Sequence, residues 1–515
     1  MNPKTPNRHN SVSTAIWVTS LIILTGFYRF ASSPPLWWDE GWTLAAAKNF
    51  LEAGHFGQLN AGVRVPQGPS GHYPTILAAA LGFRLFGVGI WQGRLPFVLL
   101  TLLAPLALFH YTGRLFNRQA AWGALAAALL LVPHPLIHPL LNGRQVLGDV
   151  PAALLLLAGA WITDRSDRSG RILLLPAALV WGLAIAVKYQ VQVFGGPGLA
   201  LAALLLLLNR QPRRAAELAL TGLAAYAVFR VVTDGFYAAL PPPETPYVAT
   251  TGLVAAAGIV PDAGIRSRAL LMVIVFALPF ATGLAAEGLR MVRTLSRKGL
   301  AEPLNPAGTL LWTTATTWMT WFLLLSNSGD RYLATPILLA APFTGRWLRD
   351  ATAGFDLRTT VRRAADAIRL RALKPENGSA LLAAVLLPIL VPGTLYVYAL
   401  AMRADNRDLL ETAAYLNEHT PAGGLIETYD SELFTFLEPS YHFPPDQVHV
   451  DLLQRSVYGR DTPVDYDPLI HDPDYLVVGP NPSAWGLYDD VIASGAFTLE
   501  ADFGRFKVYT RSPAP

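Results

Sequence analysis

Two adjacent carboxylates set among three tryptophans mark the place in this chain where chemistry is most readily imagined. They lie in Ser33-Pro34-Pro35-Leu36-Trp37-Trp38-Asp39-Glu40-Gly41-Trp42, directly after the first long apolar run. Tryptophan concentrates where hydrocarbon meets water, and a charge at that depth is expensive unless it has a use. A carboxylate held there can take a proton from an alcohol as a general base. A plainer role also exists. Asp39 can cap the following helix and Glu40 can sit in its first turn, where the helix dipole favours the ionised form. The roles are compatible, because a cap also fixes a carboxylate's direction.

The remaining polar candidates are His72, Tyr73, Arg144, Asp149, Lys188, Asp330 and Arg331. Arginine and lysine at one level can bind a phosphate leaving group and stabilise its growing charge. Each candidate also has a plain structural role. Asp149 precedes Val150-Pro151 and can cap a helix. Arg144 and Lys188 can snorkel from apolar helix ends. Arg331 follows Asp330, which can neutralise it. His134 and His138 are four apart, but Pro133, Pro135 and Pro139 break the helix that would align them on a metal.

The elements that must position these groups are membrane helices. The chain has 515 residues, 52% hydrophobic and 15% charged, with mean hydropathy +0.35. That is the composition of a polytopic membrane protein. Cysteine is absent, so disulfides, thiolate nucleophiles and cysteine-held metals are excluded. Spanning runs fall near 12–31, 92–112, 119–138, 149–163, 172–190, 191–208, 214–233, 268–290, 307–326, 332–348 and 379–400. These give about eleven spans.

With the N-terminus in the cytoplasm, the basic clusters fall on the cytoplasmic side: Arg114 and Arg118, Arg165 to Arg171, Arg210 to Arg214, Arg290 to Lys298, and Arg346 to Lys374. This obeys the positive-inside rule and places every candidate above on the opposite, outer side. It requires that Pro74–Gly87 not cross the bilayer, so that stretch reads as a juxtamembrane or half-inserted helix. The first outer loop is then 32–91. Within it Glu40–Ala53 reads as an amphipathic helix on the outer membrane surface, stopped at Gly54. Lys48 and Glu52 are i,i+4 neighbours on its polar face. In the segment 349–374, Leu357, Val361, Ala364, Ile368 and Ala372 form a stripe suited to the anionic cytoplasmic leaflet.

Residues 403–515 differ in kind. They hold 7 Lys and Arg against 19 Asp and Glu, leaving the rest of the chain 33 of its 40 basic and 17 of its 36 acidic residues. The overall net charge of +4 therefore belongs to the membrane part, 1–402, and there is no pattern for nucleic acid. The tail reads as a small soluble α/β domain. A helix is expected at Asn406–His419 and another at Tyr488–Ser494. Strands are expected at Leu425–Tyr429, Gln447–Leu452 and Tyr475–Gly479, with a hairpin of Thr498–Phe503 and Arg505–Thr510 around Gly504.

Several of these features together resemble the GT-C membrane glycosyltransferases, within the superfamily of protein O-mannosyltransferases and the lipid A aminoarabinose transferase. The features are Trp38-Asp39-Glu40 after the first span, His72-Tyr73-Pro74 before an apolar helix, and Arg94-Leu95-Pro96 opening the second span. Asp149 in the next outer loop and Arg331-Tyr332 with Pro336 complete the set. Many members have Pro-Pro where this chain has Pro74-Thr75. The resemblance implies a mainly α, GT-C helix bundle with a C-terminal α/β domain outside the cytoplasm, in the plasma (inner) membrane. It implies a sugar donor on polyprenyl phosphate and inverting transfer to a hydroxyl of a lipid, protein or glycan. Asp39 would be the base, Glu40 would orient the helix or acceptor, and Asp149 would assist substrate or metal binding. Arg144, Lys188 or Arg331 would hold the phosphate, with His72 and Tyr73 lining the substrate site. No nucleotide loop is required, and a divalent metal is used by some members only.

The rival reading is a transporter or flippase of lipid-linked glycans. Such proteins carry inverted repeats and charges near the bilayer midplane; this sequence has neither feature.

Overall fold

The computed structural model describes residues 19–66, 72–169, 174–241, 258–296, 303–369 and 374–512. Among these, five helices are long and apolar enough to cross a membrane: Ile90–Leu115, Gln190–Leu208, Pro212–Ala238, Ala263–Ser296 and Pro375–Ala401. The expected runs 119–138, 149–163, 172–190, 307–326 and 332–348 are also helical, as Arg118–Leu130, Asp149–Ser169, Leu174–Val187, Pro306–Leu324 and Ala334–Ala351. The chain is a multi-pass membrane protein of mainly α architecture with a small C-terminal sheet. Residues 12–18 of the first expected span, and Ala372 of the 349–374 stripe, lie outside the described residues.

Proline inside helices fits hydrocarbon surroundings, where neighbouring helices re-satisfy the freed backbone groups. Pro96 and Pro105 lie within Ile90–Leu115, and Pro388 and Pro392 within Pro375–Ala401. Tyr73–Phe86 has 14 residues, about 21 Å at 1.5 Å each, the same length as Leu174–Val187. It packs against Ile90–Leu115 and Trp38–Ala53. The 349–374 segment contains the helix Leu357–Ile368, capped by the Asp356 carboxylate, which accepts from the Arg358 and Thr359 N–H groups at 3.0 and 3.2 Å. Its Leu357, Val361 and Ile368 are exposed.

The Trp38–Ala53 helix departs from expectation in two ways. Its N-cap is Trp37, in extended conformation with no side-chain capping bond. Asp39 therefore lies in the first turn and its carboxylate is not used as a cap. The helix also does not lie on a membrane surface with one solvated face. Gly41, Thr43, Leu44 to Ala47 and Asn49 are all buried, because the helix is wedged between the bundle and the C-terminal region. Lys48, expected to be solvated, gives its ammonium to the Leu437 carbonyl at 3.2 Å. Gly54 ends the helix at φ 63°, a left-handed conformation that glycine adopts without a Cβ clash.

After this helix, β1 (Gly57–Asn60) and β2 (Val63–Pro66) pair antiparallel. Ala61 and Gly62 turn between them at φ 49° and 79°, the two positive angles a tight primed hairpin needs. The turn is pinned outward by its Ala61 N–H, which donates to the Tyr441 carbonyl at 2.7 Å.

The C-terminal region begins with the helix Arg407–His419 and builds a five-stranded sheet in the order β4-β3-β5-β7-β6. β3 is Leu425–Thr428, β4 Ser440–His442, β5 Tyr475–Val478, β6 Phe497–Asp502 and β7 Lys507–Arg511. β4, β3 and β5 run parallel, and β7 and β6 are antiparallel. Gln447–Leu452, expected as a strand for its alternating valines, is instead within the helix Asp446–Leu452. Pro445 stands at its N-cap, and the third parallel strand is the shorter Ser440–His442. One contiguous apolar core runs from the bundle through Leu44 and Ala47 to Leu433 and Phe434 beneath the sheet.

Candidate active site

The site is assembled from three chain regions that converge on the first turn of the Trp38–Ala53 helix. Arg331, in the short 3-10 turn Asp330–Leu333, places its guanidinium 2.6 Å from the Asp39 carboxylate. Asp149, at the start of Asp149–Ser169, receives the Lys188 ammonium at 2.5 Å. Asp39, Asp149 and Lys188 are buried. The two pairs form one charged quartet, since Lys188 is within electrostatic reach of both Asp39 and Arg331. Burial opposes the charge on Arg331, but the carboxylates of Asp39 and Asp149 outweigh it, and the guanidinium is held above its ordinary arginine value. Its planar face lies 5.0 Å from the Trp37 ring, a cation–π contact that fixes its direction.

Asp330 does not neutralise Arg331. Its carboxylate takes His134 Nε2 at 2.9 Å and faces Arg268 at 3.7 Å, which leaves Arg331 to Asp39. The histidine pair His134 and His138 is split, because His138 turns away to the Leu129 carbonyl at 3.1 Å.

His72 joins the quartet. It lies against Tyr189 with ring centroids 4.1 Å apart. Desolvation, reinforced by the charges of Lys188 and Arg331, lowers its pKa to about 3. The imidazole is therefore neutral at physiological pH and offers a hydrogen bond without a charge.

The other candidates lie apart from the quartet. Glu40 is fully enclosed and grips Arg94 with both oxygens, at 2.7 and 2.6 Å. The same carboxylate accepts the Val146 N–H at 3.1 Å, and Arg94 also donates to the Phe30 and Pro34 carbonyls. Glu40 thus fixes the helix start to the second long helix and the 143–148 loop, with no oxygen left for a substrate. Arg144 is buried among the Thr25 and Ser33 carbonyls, the Tyr398 hydroxyl at 2.9 Å and the Met402 sulfur. It fastens the loop to Pro375–Ala401. Tyr73 stacks on Phe236 at 4.7 Å and fills an aromatic core.

Two groups that sequence reasoning did not select border the quartet. Thr335 Oγ1 donates to the Asp149 carbonyl at 3.2 Å. His449, from the C-terminal region, stacks on Trp38 with centroids 5.0 Å apart and lies within the field of Asp39. Burial lowers its pKa to about 4. The C-terminal region is fastened here by Trp38 Nε1 donating to the Tyr429 carbonyl at 2.9 Å and by Ser431 Oγ donating to the Trp38 carbonyl at 2.5 Å. Nothing local in the sequence signals these contacts. The donor set does not suit a metal ion. Asp39 and Asp149 are each bound to a cationic side chain, and among the described residues no three histidine or carboxylate side chains converge.

Residues 75–233 match the family described as dolichyl-phosphate-mannose-protein mannosyltransferase. No curated protein matches the chain by sequence. Among solved structures, the chain is similar to ArnT from Cupriavidus metallidurans bound to undecaprenyl phosphate, with TM-score 0.62 at 16% identity over 99% of this chain and 100% of that one. It is also similar to the Archaeoglobus fulgidus oligosaccharyltransferase tethered to an acceptor peptide, with TM-score 0.56 at 11% identity over 98% of this chain and 74% of that one. The archaeal oligosaccharyltransferase AglB from Archaeoglobus fulgidus, in complex with an inhibitory peptide and a dolichol-phosphate, gives TM-score 0.54 at 11% identity, covering 97% and 74%. The chain therefore has the fold of the GT-C membrane glycosyltransferases, with the dolichyl-phosphate-mannose-protein mannosyltransferase signature across residues 75–233.

Proposed function

We propose that this protein is an inverting glycosyltransferase that moves a sugar from a polyprenyl-phosphate donor to a hydroxyl acceptor at the outer face of the membrane. The single observation that carries the reading is the Asp39–Arg331 pair, at 2.6 Å, set against Asp149–Lys188, at 2.5 Å. Two carboxylates and two cations at one membrane level match the parts that transfer from a lipid phosphate needs: a base for the hydroxyl and cations for the leaving phosphate. The ArnT structure bound to undecaprenyl phosphate and the AglB structure in complex with a dolichol-phosphate give the same reading a fold-level precedent.

In this mechanism the donor phosphate draws Arg331 away from Asp39 and binds the Lys188 ammonium where Asp149 holds it. Asp39, released from its ion pair, takes the proton of the acceptor hydroxyl. The hydroxyl oxygen bonds to the anomeric carbon from the face opposite the phosphate. The bond from that carbon to the phosphate oxygen breaks, and its electron pair leaves with polyprenyl phosphate, whose charge Arg331 and Lys188 hold. Asp149 keeps Lys188 in place and neutral His72 hydrogen-bonds the substrate. Glu40, Arg144 and Tyr73 keep the loops that carry the quartet in position.

Transport is the weaker reading, because the quartet lies at helix termini and a carrier binds its cargo near the midplane. The test supplies purified protein with a panel of polyprenyl-phosphate sugars and a crude membrane extract as acceptor. Release of polyprenyl phosphate supports the transferase and identifies the sugar. No release from any donor, with sugar lipid crossing liposome leaflets, contradicts it.

A further inference from the structure

A cavity of about 370 Å³ lies at the end of the bundle away from Asp39. Two helices connect the two ends. Ala334–Ala351 starts beside Arg331 and carries Arg346 and Arg349 to the cavity. Its 18 residues span about 27 Å. Ile90–Leu115 holds Glu40 through Arg94 and reaches the cavity with Leu115. The cavity is therefore about one hydrocarbon thickness from the quartet, at the opposite membrane face.

Its rim residues Arg346, Glu287, Arg290 and Arg349 belong to a chain of alternating charges joined through Asp350, which does not itself line the cavity. Arg346 meets Glu287 at 3.1 Å, Glu287 meets Arg290 at 2.8 Å, Arg290 meets Asp350 at 2.7 Å, and Asp350 meets Arg349. The series begins and ends on arginine, so these groups carry one positive charge in excess. Leu115, Phe116, Met291 and Phe343 add apolar patches to a lining that is otherwise mostly polar, with Thr294, Asn305 and Thr309 among it. The Leu357–Ile368 helix, which follows Ala334–Ala351, leaves Leu357, Val361 and Ile368 exposed, which places this end of the bundle at head-group depth.

We infer that this cavity binds the phosphate head group of an anionic phospholipid from the leaflet opposite the Asp39 site. A phosphodiester supplies the one negative charge the rim lacks, and guanidinium groups suit its oxygens. Its acyl chains leave the polar cavity past Leu115, Phe116 and Phe343. Basic pockets between membrane helices hold lipid head groups on this physical basis. A free phosphate has the same head-group chemistry but no use for the apolar patches.

The test is native mass spectrometry of the full chain in a neutral, phosphate-free detergent. Phosphatidylglycerol, phosphatidylcholine and inorganic phosphate are titrated separately. Two variants are compared with the native chain: Thr294→Trp, which fills the cavity, and Arg349→Ala. Among the described residues the Arg349 side chain pairs with its neighbour Asp350, so the bonds between helices survive its loss, and thermal melting checks that both variants fold. The expected result is phosphatidylglycerol retained by the native chain and bound at least tenfold more weakly by both variants. Phosphatidylcholine should bind the native chain at least tenfold more weakly than phosphatidylglycerol. Equal retention of phosphatidylglycerol by native chain and variants overturns the inference. Equal binding of phosphatidylcholine, or of inorganic phosphate alone, overturns it as well.

Discussion

Asp39 and Arg331 meet at 2.6 Å, one from the first turn of the Trp38–Ala53 helix and the other from the turn before Ala334–Ala351. The contact closes the bundle across its width and keeps the proposed base occupied until a phosphate arrives. An arginine shared between a carboxylate and an incoming phosphate links donor binding to base release. Arg331→Ala should therefore lower transfer by about 10²–10³-fold, the range found when one preorganised charge-stabilising donor is lost. Arg331→Lys should recover part of that loss. Transfer rates at saturating donor check this, and an Arg331→Ala variant within a few fold of native would remove Arg331 from the mechanism.

Glu40 and Arg94 form a different kind of pair. Both are fully buried, with two hydrogen bonds between them. Removing one partner leaves an uncompensated buried charge, at a cost of about 3–5 kcal/mol. Glu40→Gln should lower the melting temperature more than Asp39→Asn, because the Glu40–Arg94 side chains are fully enclosed while those of Asp39 and Arg331 keep 9% and 17% exposure. Melting both variants in the same detergent separates scaffold from chemistry. A Glu40→Gln protein that melts like the native chain would contradict the assignment.

Gly41 holds the C-terminal region against the helix start. A Cβ there would lie 2.4 Å from the Ser431 carbonyl group, closer than any real contact. Gly41→Ala should separate the two surfaces, exposing the 429–432 segment to protease and lowering activity together. Limited proteolysis reads the first effect and donor consumption the second. Unchanged cleavage would mean the docking tolerates a methyl group.

His449 sets a pH signature. Its folded-state pKa is about 4 against an ordinary 6.5, so the unfolded chain binds more protons between those values. Stability then rises with pH through this window and is lost as pH falls from about 6.5 to about 4. His72, lowered to about 3, acts in the same direction and further down. Asp430 opposes them. Burial raises it to about 7, so its share of stability fades as pH rises from the ordinary carboxylate range toward 7. His449→Phe keeps the stack on Trp38 and removes one titration. Its melting temperature should fall less than that of the native chain between pH 6.5 and 4, and parallel curves would refute the shift.

The fold was largely legible because hydrocarbon imposes long apolar runs. Asp39, Asp149, Lys188, His72 and Arg331 were legible as charged or polar groups at helix ends. Their pairing was not. Asp330 adjoins Arg331 in sequence yet takes His134, because the short turn at Asp330–Leu333 points the two side chains apart. Glu40 looked as reactive as Asp39, since its partner Arg94 lies beyond the hairpin and the whole Tyr73–Phe86 helix. Arg144 looked like a phosphate ligand because its carbonyl partners come from remote segments. His449 was hidden by a strand-like valine pattern that folds as a helix after Pro445. The docking of the C-terminal region on Trp38 left no local pattern at all.

The most direct measurement is donor turnover by Asp39→Asn beside the native chain, with donor binding measured on the same preparations. The expected result is polyprenyl phosphate release from the native chain and none above background from Asp39→Asn, with donor still bound by both. Release that survives the substitution would contradict Asp39 as the base and move the search to Asp149.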